Sequence, residues 1–129
     1  MPRILLIEDD AALRRTLRTI LEKALHTVAE AGDGLQGVAL FSKETFDLVI
    51  TDIIMPNREG IETIGDIRRL DPHVPIVAIS GGGSVGGELF LKLAEQVGAT
   101  RTLAKPIRPV DLVQAVASCL GASSTEGPP

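Results

Sequence analysis

The chain has no tryptophan, no tyrosine and only three phenylalanines among its 129 residues. So few aromatics, 2% of the chain, exclude a ring-packed interior, and the core must be aliphatic. They also argue against base stacking on single-stranded nucleic acid and against stacking of a flavin. The only cysteine, Cys119, cannot form an intramolecular disulfide and fits no zinc pattern. Its place in a late helical run marks it as a packing residue. No apolar run approaches the ~20 residues of a membrane span, and the first residues lack a charged-then-apolar leader. A soluble cytoplasmic chain without a membrane partner is expected. Thirteen Lys and Arg against 17 Asp and Glu give a net charge of −4. No basic patch is long enough for direct nucleic-acid binding.

Apolar residues make up 44% of the chain, enough at this length for one domain around one interior. Short aliphatic runs alternate with helical patterns. Arg3 to Ile7 is continuous, the mark of a strand buried on both faces. Asp10 offers an N-cap for a helix over 11–24, with Leu13, Leu17, Ile20, Leu21 and Ala24 on one face. Residues 27–31 read as a weaker strand nearer an edge. Gly32-Asp33-Gly34 is a turn ahead of a helix over 35–42. Residues 47–51 are the third strand, and Asn57 to Gly60 closes a loop. The next helix carries Ile61, Ile64 and Ile67 inward and ends near Leu70, where Asp71-Pro72 stops it. Residues 75–79 are the fourth strand and 80–87 a glycine-rich loop. A helix over 88–97 turns Leu89, Phe90, Leu93, Ala94 and Val97 to the core, with Leu91 beyond them beside Glu95. Residues 101–104 are the fifth strand. Pro109, a favoured first helical residue, opens a helix through Leu120 that Gly121 ends. Residues 122–129 have linker composition. The domain is expected over 1–121, with 122–129 a flexible tail or linker remnant. Five strands alternating with five helices predict an α/β fold: a (βα)5 doubly wound parallel sheet, helices on both faces.

Four apolar runs deliver a polar group at the carboxyl end. Ile4 to Ile7 leads into Glu8-Asp9-Asp10, and Leu48 to Thr51 into Asp52. Ile76 to Ile79 leads into Ser80-Gly81, and Thr102 to Ala104 into Lys105-Pro106. In an open parallel sheet those ends line one crevice, where such folds bind ligands. Carboxylates, a hydroxyl and an ammonium gathered there are the equipment of a metal-assisted phosphoryl site. Taken singly, each has a plainer role. An Asp after a strand is ordinarily a cap, as Asp10 is expected to be, and a Lys before Pro is ordinarily solvated. The agreement of four separate segments favours the joint site. The loop over 80–87 lacks the lysine and spacing of a P-loop and reads as a switch loop.

Leu6-Ile7-Glu8-Asp9-Asp10, Val49-Ile50-Thr51-Asp52-Ile53-Ile54-Met55-Pro56, Ile79-Ser80-Gly81 and Leu103-Ala104-Lys105-Pro106 resemble, in order and spacing, the signature segments of a bacterial two-component response-regulator receiver domain. The likeness is to the single-domain, CheY-like type and covers residues 3–120. It implies the flavodoxin-like strand order 2-1-3-4-5. It implies that Asp52 accepts a phosphoryl group from a phosphohistidine, on a histidine kinase or a histidine phosphotransfer protein. An unknown downstream protein, or a second copy in a homodimer, would read the change. A magnesium ion is implied, with manganese as substitute, bound by Asp9 and Asp52, by Glu8 mostly through water, and by the Ile54 backbone carbonyl. Lys105 would pair with Asp52 and then with the phosphoryl oxygens, a cis bond to Pro106 aiming it inward. Ser80 would donate its hydroxyl to the phosphoryl group, and Gly81 would leave room for the approach. Such a domain is not an ordinary enzyme, since it catalyses only its own phosphorylation and dephosphorylation.

Two positions depart from the pattern. Thr102 stands where many such domains carry a ring that turns inward with the switch hydroxyl, so readout is expected without an aromatic rotamer change. It would run through the fourth helix, fifth strand and fifth helix. Ile54 stands where some relatives have a polar residue that helps water attack, a shielding that Gly82 would counteract from the other side. Arg14, Arg15 and Arg18 lie off the apolar stripe of the first helix and form a candidate docking face for the phosphodonor. The competing readings are a receiver cut from a hybrid kinase or longer regulator, an aspartyl phosphatase and a flavodoxin-type carrier. The phosphatase needs an acid where Ile54 stands, and the carrier needs the missing rings.

Overall fold

The computed structural model of the chain describes residues 1–53, 60–81 and 87–124, with the side chains of 87–91 and 122–124 set aside. Ten elements alternate: β1 (Arg3–Ile7), α1 (Ala11–Lys23), β2 (Thr27–Ala31), α2 (Gly34–Lys43), β3 (Leu48–Asp52), α3 (Gly60–Leu70), β4 (Ile76–Ser80), α4 (Gly87–Val97), β5 (Arg101–Ala104) and α5 (Pro109–Ser124). All strand pairs are parallel, in the order β2-β1-β3-β4-β5. The expected fold class, strand order and edge position of β2 are all found.

The sheet is buried on both faces because its central strands are aliphatic at every position that meets a helix. Strand alternation divides the interior into two layers. Leu5, Ile7, Val49, Ile76 and Ala78 pack with Ile64 and Ile67 of α3 and Ala94 of α4. Ile4, Leu6, Leu48, Ile50, Val77 and Ile79 pack with Leu17 and Leu21 of α1 and Leu112, Val116 and Cys119 of α5. Each fully buried Leu or Ile contributes about 1.5–3 kcal/mol of transfer free energy. Cys119 is buried in the second layer as a packing residue, and burial pushes its thiol pKa up. Among the described residues, no helix is long and apolar enough to cross a membrane.

Three local expectations change. Asp52 and Ser80 are the last residues of β3 and β4, not the first residues beyond them. The ladder continues through them, with Asp52 opposite Ile79 and Ser80 opposite Ala104. Leu93, expected inward, is exposed at 36%, whereas Ala94 is fully buried. α4 packs on α3, β4 and β5 at the sheet edge, so its inward stripe centres on Ala94 and Val97 and leaves Leu93 at the rim. Finally, α5 continues through Gly121 to Ser124, so residues 122–124 of the expected tail are helical. Glycine within a helix costs up to about 1 kcal/mol relative to alanine but does not forbid the helix. A Cβ at Gly121 would meet nothing within 4 Å. Gly121→Ala is therefore expected to raise stability by about 0.5 kcal/mol, measured by urea unfolding. A loss would show that the glycine serves something other than the helix.

Candidate functional site

The carboxyl ends of β1, β3, β4 and β5 bring together most of the residues that the sequence singles out. β1 ends at Ile7, and the turn into α1 carries Glu8, Asp9 and Asp10. Asp10 caps α1: its Oδ1 accepts from the N–H groups of Ala12 and Leu13 at 3.0 and 3.1 Å. Its own N–H donates to Glu8 Oε2 at 3.1 Å. Asp10 is thus spent on the helix end, while Glu8 and Asp9 remain for other chemistry. One ligand oxygen from each of Glu8, Asp9 and Asp52 lies within 4.8 Å of the other two. Glu8 and Asp52 are buried and Asp9 is exposed.

Lys105 closes this cluster. Its Nζ donates to Asp52 Oδ2 at 3.0 Å and lies 3.6 Å from Glu8 Oε1. The Lys105–Pro106 peptide bond is cis, as expected. The Lys105 N–H donates to the Ser80 carbonyl at 2.8 Å, so one main-chain bond ties the candidate ammonium to the candidate hydroxyl. Ser80 is buried. A Cβ at Gly81 would meet nothing within 4 Å. Thr102 pairs with Ala78 in register and is half-buried. Ile54 and Gly82 lie outside the described residues, as does the side chain of Leu91.

Among the described residues, one ammonium stands among three carboxylates, which leaves them short of positive charge. Burial pushes the Glu8 carboxyl up to about 7; the Asp10 N–H opposes the shift, and the Asp52 charge adds to it. Burial disfavours the charge on Lys105, but its hydrogen bond to Asp52 and the charges of Asp52 and Glu8 outweigh this and raise its pKa. Glu8 Oε1 is buried and has no hydrogen-bond partner among the described residues. A buried acceptor left unpaired costs about 1–3 kcal/mol. Three convergent carboxylates, one with an orphaned oxygen, are the donor set a hard divalent cation takes. The residues present therefore fit magnesium.

The contacts of three residues escaped the sequence reading. Arg14 and Arg18 are not a free basic face, because both bind Glu30 on β2. Arg14 Nη1 also donates to the Glu8 carbonyl at 2.7 Å. Arg15 is exposed. Gly60, which opens α3, donates its N–H to the Ile53 carbonyl at 2.6 Å. A Cβ there would lie 2.0 Å from the Asp52 carbonyl oxygen. The sequence marks the arginines as a basic face and Gly60 as the end of the loop after Asp52, but neither signal gives the contact made.

Comparison with known proteins agrees with this geometry. The response regulator receiver domain family matches residues 4–117. The chemotaxis protein CheY of Halobacterium salinarum is 32% identical, over 93% of this chain and 98% of that protein. The response regulator receiver protein CpdR of Brucella abortus is 34% identical, over 93% and 98%. A CheY-like receiver domain protein of Methanospirillum hungatei has a crystal structure that superposes with a TM-score of 0.89 at 29% identity, over 98% of this chain and 99% of that one. With its strand order, its acidic crevice and its lysine on Asp52, this chain belongs to the response regulator receiver domain family and has the CheY-like fold.

Proposed function

We propose that this protein is a phosphoacceptor that takes a phosphoryl group from a phosphohistidine onto Asp52 and thereby changes its affinity for a partner. The observation that carries this reading is the convergence of Glu8, Asp9 and Lys105 on Asp52, a carboxylate only 4% exposed at the end of the central strand. An Asp52 oxygen would form its bond to phosphorus as the phosphorus–nitrogen bond to the donor imidazole breaks, the electron pair returning to that nitrogen. Glu8, Asp9, Asp52 and the Ile54 carbonyl would hold magnesium, with manganese as a substitute. The ion would supply positive charge that lowers the repulsion between carboxylate and phosphoryl oxygens. Lys105, now on Asp52 Oδ2, needs only a short movement of its flexible stem to reach a phosphoryl oxygen as a compact point charge. The buried Ser80 hydroxyl would donate to another. Since Ser80 and Lys105 share a main-chain hydrogen bond, a pull on one acts on the other.

The donor would be a histidine kinase or a histidine phosphotransfer protein. The surface formed by α4, β5 and α5 would present the change to a downstream protein or to a second copy, in the cytoplasm. Thr102 would leave the loop and helix backbone, not a ring, to carry the signal. A longer parent protein is a second reading. The chain also matches a segment of the transcription factor SKN7 of Chaetomium thermophilum, where the aligned part is 14% of that protein, so related domains occur within larger regulators.

Incubation with acetyl phosphate and magnesium should add one phosphate by intact mass. Asp52→Asn and excess chelator should each abolish the addition. Undiminished labelling of Asp52→Asn would remove Asp52 from its assigned role.

A further inference from the structure

We propose that Arg14 is a positioning residue for the magnesium site, holding the peptide that carries two of its carboxylates; this rests on the function proposed above. The Glu8 carbonyl belongs to the same planar unit as the Asp9 N–H. With the Glu8 N–H also held, fixing that plane fixes the direction in which the Glu8 side chain leaves the chain and narrows that of Asp9. The Glu8 N–H is held by the Ala31 carbonyl at 3.1 Å, one step past the end of the β1–β2 ladder. The next group, the Glu8 carbonyl, receives Arg14 Nη1 at 2.7 Å. A guanidinium thus takes over where the sheet stops.

Arg14 is itself held. Its Nε donates to Glu30 Oε1 at 3.0 Å, while Arg18 binds Glu30 Oε2 and reaches Glu22 at 3.0 Å through its own Nε. The side chains of Arg14 and Glu30 are 22% and 28% exposed. A rigid fork addressing two acceptors at once is a task for arginine; a lysine ammonium on a flexible stem lacks this geometry. The chain Glu22–Arg18–Glu30–Arg14 therefore ends on the carbonyl between the two acids. Ligands held this way are already aimed when the cation arrives. Docking of a protein donor through Arg14 would instead need its guanidinium turned outward, and it is held between the Glu8 carbonyl and Glu30.

The test is magnesium affinity by isothermal titration calorimetry, since no tryptophan is present to report it. Melting temperatures by circular dichroism accompany each variant. Arg14→Gln is expected to weaken magnesium binding about tenfold, as loss of an outer-shell partner does. Arg14→Lys should recover part of that loss. Glu30→Gln leaves Arg14 in place but unaimed, and should weaken binding by a smaller factor. Because Glu30 acts through Arg14, the double variant Arg14→Gln/Glu30→Gln should bind no more weakly than Arg14→Gln alone. Wild-type affinity in folded variants, or losses that multiply in the double variant, would overturn the proposal. So would intact magnesium affinity and acetyl-phosphate labelling with slowed transfer from a protein donor, which would make Arg14 a docking residue. Failure of the wild-type protein to bind magnesium would instead overturn the function on which the proposal rests.

Discussion

Stripped of metal, the protein is expected to lose thermal stability as the pH rises from about 5 to about 8, and magnesium is expected to restore it. The cause is Glu8, whose carboxyl is pushed from 4.5 to about 7 by burial, with the Asp52 charge adding to the shift. A raised pKa means that the folded state holds its proton more tightly than the unfolded chain. That contribution is fully present below 4.5 and is lost as the pH passes through about 7. The acid side has the opposite sign. Glu30 is held below its ordinary value first by its hydrogen bond to Arg18, and Asp111 by its hydrogen bond to Arg108. Both contribute stability that disappears as the pH falls through their lowered values. Burial also lowers the His26 pKa, so His26 adds stability as the pH rises towards 6.5 and partly offsets Glu8 there. The metal-free protein should be most stable in mildly acidic solution, where Glu8 outweighs it. From there to pH 8, a fall on the order of 5 °C is expected, measured by circular dichroism in chelator. Magnesium at a hundred times its dissociation constant adds about 2.7 kcal/mol, more than enough to cancel that fall. Glu8→Gln should flatten the alkaline limb. Asp52→Asn, by removing a like charge beside Glu8, should raise the metal-free melting temperature. A melting temperature unchanged from pH 5 to 8, with and without magnesium, would mean that Glu8 carries no such burden.

Gly60→Ala is expected to cost about 3 kcal/mol, the upper end of overpacking losses, and to lower the melting temperature by about 10 °C. The added Cβ would lie 2.0 Å from the Asp52 carbonyl oxygen and 2.5 Å from the Ile53 Cα. Both neighbours are main-chain atoms, one on the last residue of β3 and one on the residue after it, and neither can rotate away. Relief requires α3 to back off from β3, which breaks the 2.6 Å hydrogen bond from the Gly60 N–H to the Ile53 carbonyl. The damage falls on the main chain of the proposed phosphoacceptor, so acetyl-phosphate labelling of the folded fraction should slow at least tenfold. Gly81→Ala supplies the contrast. Its Cβ meets nothing within 4 Å, and unfolding should shift by less than about 0.5 kcal/mol. Equal stabilities for the two alanine variants would show that the β3–α3 junction yields more easily than its distances allow.

The residues that were legible in the sequence announce themselves locally. Continuous aliphatic runs at Ile4 to Ile7, Leu48 to Ile50 and Ile76 to Ile79 mark strands buried on both faces, and their polar endings mark one rim of the sheet. Asp10 before a helical pattern reads as a cap, and is one. What escaped depends on tertiary pairing. The arginines of α1 look solvated on a wheel because nothing in the sequence places Glu30 beside them. Leu93 reads as inward because a wheel has no edge, whereas α4 sits at the edge of a layer. Gly121 reads as a stop because its cost is local, whereas the flanking residues carry the helix past it. Asp52 and Ser80 were expected just beyond their strands because hydropathy ends one residue before the hydrogen bonding does.

That last difference bears on how the reactive groups are held. Asp52 faces Ile79 within the ladder, and the next N–H, that of Ile53, donates to the Ile79 carbonyl at 2.9 Å. The proposed nucleophile is thus part of the hydrogen-bonded sheet, not a passenger on a loop. Its backbone freedom is given up once, at folding, and the side chain has only its own two torsions left to settle. A group arriving at Asp52 therefore meets a carboxylate with little positional entropy left to lose, and the motions that follow are left to the parts of the rim outside the weave.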